Sequence, residues 1–193
     1  MSEGAASEQS EAVSLGPRDT ERFTLRRFVE ADAPLLAAMN MNPEVMRYIR
    51  PPDTDVDEAV ERARAMIARQ RGNYGLWRIE EKTTGEFLGW VALKDLDGTE
   101  EIEVGYALRR EAWGRGVATE VARELVRYGF EDLSLERIVG VTQPPNMASR
   151  NVLTKLGMTY LGLVNRYYGR ETTYFEMFRG DCGEISNKAQ KRS

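Results

Sequence analysis

Polar and apolar positions change period several times along this chain. Phe23-Thr24-Leu25-Arg26-Arg27-Phe28 alternates, which predicts a short strand. From Glu30 to Asn40 the spacing turns helical, with Ala31, Leu35, Leu36 and Met39 on one face, and Asn42-Pro43 ends the helix. A second helix is expected from about Asp57 to Arg71, with Ala59, Val60, Ala63, Met66 and Ile67 apolar. Asp55 and Asp57 stand at its start, where the helix dipole favours negative charge, and Gly72-Asn73 closes it.

The middle of the chain returns to period two. Tyr74 to Glu81, Phe87 to Leu96 and Glu101 to Arg109 read as three strands. Thr83-Thr84-Gly85 and Asp97-Gly98 supply the turns of an antiparallel meander. In the third strand Ile102, Val104 and Tyr106 share one face, and Glu101, Glu103, Gly105 and Ala107 the other. A long amphipathic helix follows from about Gly116 to Leu133, striped by Val117, Val121, Leu125, Tyr128 and Phe130. Then come a strand over Arg137–Gln143, a helix over Asn146–Leu156, and two strands, Met158–Tyr168 and Glu171–Phe178, joined at Gly169. The order β, α, α, β, β, β, α, β, α, β, β predicts an α/β (α+β) domain. Its sheet is mixed and mostly antiparallel, flanked by helices, with one crossover helix between neighbouring strands.

Composition narrows the function. At 193 residues, 41% hydrophobic and 30% charged, the chain has the makeup of one globular domain. The Ser/Glu/Ala/Gly-rich residues 1–20 and the stretch 180–193 read as mobile tails around a folded unit of 21–179. Twenty-seven basic against 31 acidic residues, a net charge of −4, make a poor general binder of nucleic acid. With no histidine and the single Cys182, neither a Ser-His-Asp nor a Cys-His couple can form, and a His/Cys zinc site cannot be built; no metal is expected. One cysteine allows no internal disulfide, which points to the cytoplasm. Glu3 and Glu8 argue against a signal peptide, and no apolar run is long enough to span a membrane.

Two segments carry candidate chemistry. Trp113-Gly114-Arg115-Gly116-Val117-Ala118-Thr119 lies between a strand end and a helix start, where backbone N–H groups and the helix dipole can receive a pyrophosphate. The alternative is a flexible turn. A dinucleotide fold would need a third glycine at Thr119, and a Walker loop a Gly-Lys-Ser/Thr; neither is present. The second segment is Pro144-Pro145-Asn146-Met147-Ala148-Ser149, followed by Lys155-Leu156-Gly157-Met158, where Asn146 also reads as an N-cap and Gly157 as a C-cap.

Taken together, these blocks resemble the GCN5-related N-acetyltransferase (GNAT) superfamily, and within it the ribosomal-protein N-terminal acetyltransferases. Glu21–Arg26, Asn42–Tyr48 and Ile102-Glu103-Val104-Gly105-Tyr106 belong to the same resemblance, which covers about residues 21–179. It implies acetyl-CoA as donor, a primary amine as acceptor, and two central strands splayed into a cleft for pantetheine. Gly114, Arg115, Gly116, Val117, Ala118 and Thr119 would then supply amides to the CoA pyrophosphate. The N–H of Ala107 or Leu108 would hold the thioester oxygen, and Tyr106, Asn146 and Ser149 would face the pantetheine. Two positions depart from the broader superfamily. Trp113 replaces the usual Gln or Arg, and Leu153 stands where a Tyr often protonates the leaving thiolate. In the ribosomal branch a Ser of the Asn-x-x-Ser block is a candidate acid, which designates Ser149.

Glu103 is the candidate base, with Glu101 in reserve. Freeing an α-amine at pH 7 costs roughly 1–1.4 kcal/mol, against about 4.6 kcal/mol for a lysine, so a single carboxylate suits an N-terminal amine. Tyr48, Trp77, Trp90 and Tyr168 are expected to form an aromatic wall for the acceptor, with Arg50, Arg166 and Arg170 available for a carboxylate. The acceptor is expected to be a peptide N-terminus. A small-molecule amine and a non-catalytic acyl-CoA-binding module are the alternatives. Nucleic acid and membrane are not expected as partners, and the chain is read as a monomer or homodimer.

Overall fold

The computed structural model describes residues 16–70 and 72–181. Its elements, in chain order, are β1 (Phe23–Arg27), α1 (Ala33–Asn40), α2 (Pro43–Met46), α3 (Val56–Ala68), β2 (Gly75–Glu81), β3 (Phe87–Asp95) and β4 (Ile102–Leu108). Then follow α4 (Val117–Glu131), β5 (Arg137–Thr142), α5 (Met147–Lys155), β6 (Thr159–Tyr167) and β7 (Arg170–Phe178). The seven strands form one sheet in the order β1-β2-β3-β4-β5-β7-β6. Only β4 and β5 pair in parallel; the other neighbours are antiparallel, as the meander and the terminal hairpin predict.

Helices cover both faces. The stripe of α4 packs with Trp77, Leu93 and Val104 in the larger core cluster. Leu36 of α1, Met46 of α2 and Ala59 of α3 close the opposite face on Phe87 and Ala107. Asp55 caps α3 by accepting the Glu58 N–H at 2.9 Å, which is why the acidic start reads correctly from sequence. One short element escapes the sequence pattern. Asn42 does not only end a helix: its side chain accepts the N–H groups of Glu44 and Val45 and starts the single turn α2. That turn aims the segment 47–52 at the sheet edge that opens between β4 and β5.

The tail expectation needs correction at its inner end. Pro17 is buried, and Asp19 Oδ1 accepts the Leu25 N–H at 3.0 Å, so residues 16–20 pack on the domain. Arg179–Asp181 form a short 3-10 turn. Residues 1–15, and 182–193 with Cys182, lie outside the described residues. Among the described residues no helix is long and apolar enough to cross a membrane, and no cluster of metal-ligating side chains occurs.

Candidate active site

β4 and β5 share a single register pair, Glu103↔Val139. By contrast, β3 and β4 pair continuously from Gly89↔Leu108 to Asp95↔Ile102. Past Glu103 the two parallel strands diverge, and a cavity of about 230 Å³ opens between Gly105-Tyr106 on one side and Val141-Thr142-Gln143 on the other.

Glu103 lies at the floor of this cavity and is 5% exposed. Lys94 stands opposite it in the β3–β4 register, on the same face, and the two form an ion pair. The Tyr168 hydroxyl donates to Glu103 Oε1 at 2.5 Å, and Lys94 Nζ donates to the Tyr168 oxygen at 3.1 Å. Burial alone would lower the Lys94 pKa, but Glu103 and Tyr168 outweigh it and hold the ammonium above its usual range. Burial, then the Glu103 charge, pushes the Tyr168 hydroxyl up to about 12. Tyr168 reaches the site from a hairpin turn in which it adopts a left-handed φ of 56°, with Gly169 following at 62°. That conformation is uncommon for a bulky side chain. Asp97 secures it by accepting the Tyr168 N–H at 2.5 Å.

The opposite wall comes from α5. Asn146 caps the helix by accepting the Ser149 N–H at 3.1 Å, and both residues line the cavity. Capping and lining are therefore one arrangement, since the cap fixes where the Ser149 hydroxyl stands. Tyr106 reaches across from β4, its hydroxyl 3.0 Å from Ser149 Oγ and 3.1 Å from the Ser149 carbonyl. Burial raises the Tyr106 pKa, so the phenol remains protonated at neutral pH. Leu153 is buried against Gly140, where an added Cβ would stand 2.7 Å from Leu153 Cδ2.

Beyond β4 the chain forms the turn that starts α4. Gly116 has φ 78° and no side chain to cap the helix. The first intrahelical bond runs from the Glu120 N–H to the Gly116 carbonyl, so Val117, Ala118 and Thr119 keep amides without a helical acceptor. A diphosphate fits such an end, because the approach at Gly116 meets nothing nearer than the Arg22 guanidinium, 3.5 Å from an added Cβ and held by Glu120 and the Arg115 carbonyl. Gly116 and Thr119 open onto a recess shared with Arg22, Arg123 and Lys155 and with two carboxylates, Glu21 and Glu120, the latter paired with Arg22. Trp113 donates its indole N–H to the Leu108 carbonyl at 2.9 Å, tying this turn to the end of β4.

Residues 22–159 match the family model described as an acetyltransferase (GNAT) domain. This chain belongs to the GNAT family. The GNAT chain is 32% identical over 160 residues to the uncharacterized N-acetyltransferase YoaA of Bacillus subtilis (strain 168), covering 81% of this chain and 90% of that one. Among solved structures it is similar to Mycobacterium smegmatis RimJ in complex with CoA-disulfide, with TM-score 0.70, 20% identity, and 90% and 91% of the two chains covered. It is also similar to spermidine N-acetyltransferase from Vibrio cholerae in complex with CoA and spermine, with TM-score 0.69, 20% identity, and 83% and 98% covered. At such identities these two structures share the fold. The GNAT chain is thus an acetyl-transferring enzyme.

Within this GNAT domain the cavity gathers Tyr48, Trp90, Glu103, Tyr106, Asn146, Ser149 and Tyr168, all singled out in the sequence. Arg50 is not among its lining; it is turned to Asp53 by bonds of 2.9 and 2.7 Å and cannot serve an acceptor there. Trp77 is core, 2% exposed and edge-on to Tyr128: it pairs with Val91 in the β2–β3 register and faces α4 with it, whereas Trp90, the residue next to Val91, faces the cleft. Arg166 lies over Tyr167 and Tyr174. Glu101 is no reserve base: Arg137, Tyr167 and Tyr174 engage its carboxylate away from the cavity. The side chains of Ala107, Leu108 and Val117 are buried, so only their backbone could meet a ligand. Arg109 donates its N–H to Leu88 of the β3 side at 2.8 Å, and the Ala107 carbonyl faces Gly89. Strand alternation then turns the Leu108 N–H, and not that of Ala107, toward the splay. The Arg115 side chain pairs with Glu81, leaving its backbone to the turn. Gly114 shares the left-handed geometry of Gly116, with φ 74°, and the buried Val117 is followed by the half-buried Ala118.

Lys94 is the residue that sequence reasoning missed. Its signal was its register with Glu103, which depends on a hairpin closing from Leu96 N–H to the Glu101 carbonyl at 2.7 Å. Gln143 was missed as well; its Nε2 donates to the Tyr48 carbonyl at 3.1 Å and ties the segment 47–52 to the end of β5.

Proposed function

We propose that this enzyme transfers the acetyl group of acetyl-CoA to the α-amine of a peptide N-terminus, by direct attack in a ternary complex. The observation that carries this reading is that one cleft, opened by the β4–β5 splay, has Glu103 on its floor and Ser149 on its wall. The amides of Val117, Ala118 and Thr119, with the turn at Gly114–Gly116, would bind the pyrophosphate. The splayed edge of β4 would receive the pantetheine in place of a neighbouring strand.

The amine nitrogen forms its bond to the thioester carbon as the C–S bond breaks. Glu103 takes the amine's proton, directly or through a water. The Lys94 ammonium beside it disfavours a second cation in the cleft and so assists loss of that proton. The Leu108 N–H would stabilise the developing oxyanion. The CoA thiolate is protonated from the Ser149 hydroxyl, held in place by its bond to Tyr106, and the serine oxygen regains its proton from solvent as the products leave. Tyr48 and Tyr168 flank the acceptor side.

Calorimetric titration with acetyl-CoA, followed by mass spectrometry of Ser- and Ala-terminated peptides, tests the reading. Micromolar binding and addition of one acetyl group at the N-terminus are expected. Binding without acetylation of any amine would favour the non-catalytic acyl-CoA module.

A further inference from the structure

The charges lining the cleft bear on which amine it accepts. Among the described residues its fixed charges are the cations Lys94 and Arg170 and the single carboxylate of Glu103. Lys94 is committed to Glu103. Arg170 is not committed to any carboxylate among the described residues. Its guanidinium only approaches the carbonyls of Tyr168, at 3.4 Å, and Ile49, at 3.5 Å.

Carboxylates around the cleft are taken elsewhere: Asp53 by Arg50 and Arg62, and Asp97 by the Tyr168 N–H. The donor's phosphates do not explain the surplus cation either. The recess assigned to them lies at Gly116 and Thr119, among Arg22, Arg123, Lys155 and the carboxylates of Glu21 and Glu120, and Arg170 is not part of it. Arg170 therefore stands at the acceptor end with a planar set of donors and no anion.

We propose that the acceptor carries a carboxylate in addition to its reacting amine, and that Arg170 binds that carboxylate. This rests on reading the cleft as the acceptor site of an N-acetyltransferase. A guanidinium recognises a carboxylate through two parallel N–H···O bonds, which fixes orientation as well as charge. It would place the amine next to Glu103 and the carboxylate next to Arg170, one opposite charge for each. A polyamine would instead bring further ammonium groups against Lys94 and Arg170. The carboxylate has two sources, the acidic side chain of a peptide's second residue or the α-carboxylate of a free amino acid.

The test compares matched acceptors at saturating acetyl-CoA, following release of CoA thiol. The pairs are Ser-Glu- against Ser-Gln-starting peptides, and a free amino acid against its amide, with spermidine alongside. A preference for the carboxylate member of about tenfold to a hundredfold in kcat/KM is expected in at least one pair, and the pair that shows it identifies the source. Arg170→Gln should bring that ratio near one, and Arg170→Lys should keep part of it. Amides equal to acids in both pairs, or spermidine as the best acceptor, would overturn the carboxylate assignment while leaving N-acetyl transfer intact. No turnover with any of these amines, with acetyl-CoA bound by calorimetry, would overturn the acceptor reading and this assignment with it.

Discussion

Lys94 and Glu103 face each other across the β3–β4 pair and form an ion pair on the floor of the cleft. Tyr168, held in a left-handed turn, closes the group by bonding both. A carboxylate that is 5% exposed is thus given a counter-ion and a phenol, the requirement for burying charge. Its role separates from that of a merely structural pair by experiment.

Glu103→Gln should reduce kcat/KM by about a hundredfold near pH 7, and less as the pH rises past the acceptor amine's own pKa of about 8. A pH–rate profile on a Ser-terminated peptide checks this. A loss equal at every pH would remove Glu103 as the base.

Lys94→Met should destabilise the fold by roughly 1–3 kcal/mol, because it strands the Glu103 carboxylate. The folded pKa of Lys94 is raised, so the pair's contribution is fully present below the unfolded lysine value. It is lost as pH rises through the higher folded one. Urea midpoints of wild type and variant should differ by a constant amount from neutral pH up to about pH 10 and approach each other above it.

Asp32 anchors a second ionic group, away from the cleft, with Arg26 at 2.7 Å and Arg78 beside it. Burial alone would raise its pKa; the bonds from Arg26 and the Val29 N–H and the charge of Arg78 bring it down to about 2. A depressed carboxylate stabilises above its unfolded value, near 3.9, and loses that contribution as pH falls toward 2. Asp32→Asn should therefore cost about 2 kcal/mol at neutral pH and almost nothing at pH 2, measured by denaturant unfolding.

Gly116→Trp should abolish acetyl-CoA binding by filling the approach to the α4 amides. An added Cβ there meets only Arg22, and the left-handed φ of 78° adds about 1–2 kcal/mol of strain. The variant should fold with a modestly lower melting temperature. Unchanged affinity in calorimetry would sink the pyrophosphate assignment.

Ser149→Ala should lower kcat by roughly tenfold with little change in acetyl-CoA affinity, a modest effect because a thiolate of pKa near 8.5 is already a fair leaving group. Tyr106→Phe removes only the partner of Ser149 and should lose less. Single-turnover rates separate the two. A larger loss for Tyr106→Phe would make the phenol the acid.

Local chemistry was legible in the sequence wherever near neighbours decide it. The stripe of α4, the acidic helix start at Asp55, the cap at Asn146, and the glycine turn before α4 all depend on residues a few positions apart. The alternation of β4 also put Glu103, Gly105 and Ala107 on one face, where Trp90 and Lys94 in fact meet them. Spacing alone misjudged Arg50, whose charge is taken by Asp53 three residues on, and Trp77, which shares its residue type with Trp90 but faces the other way.

What only the tertiary structure decided is the joining of distant segments. The Lys94–Glu103 pair depends on strand register, and register depends on how the loop after Leu96 closes. Tyr168 comes to Glu103 across 65 positions, and Gln143 to Tyr48 across 95. The splay itself is a property of two strands that stop pairing after Val139, which neither strand's own pattern expresses. Periodicity reports which face a residue takes on its own element. It carries no term for which element arrives opposite, because that is set by packing of the whole sheet.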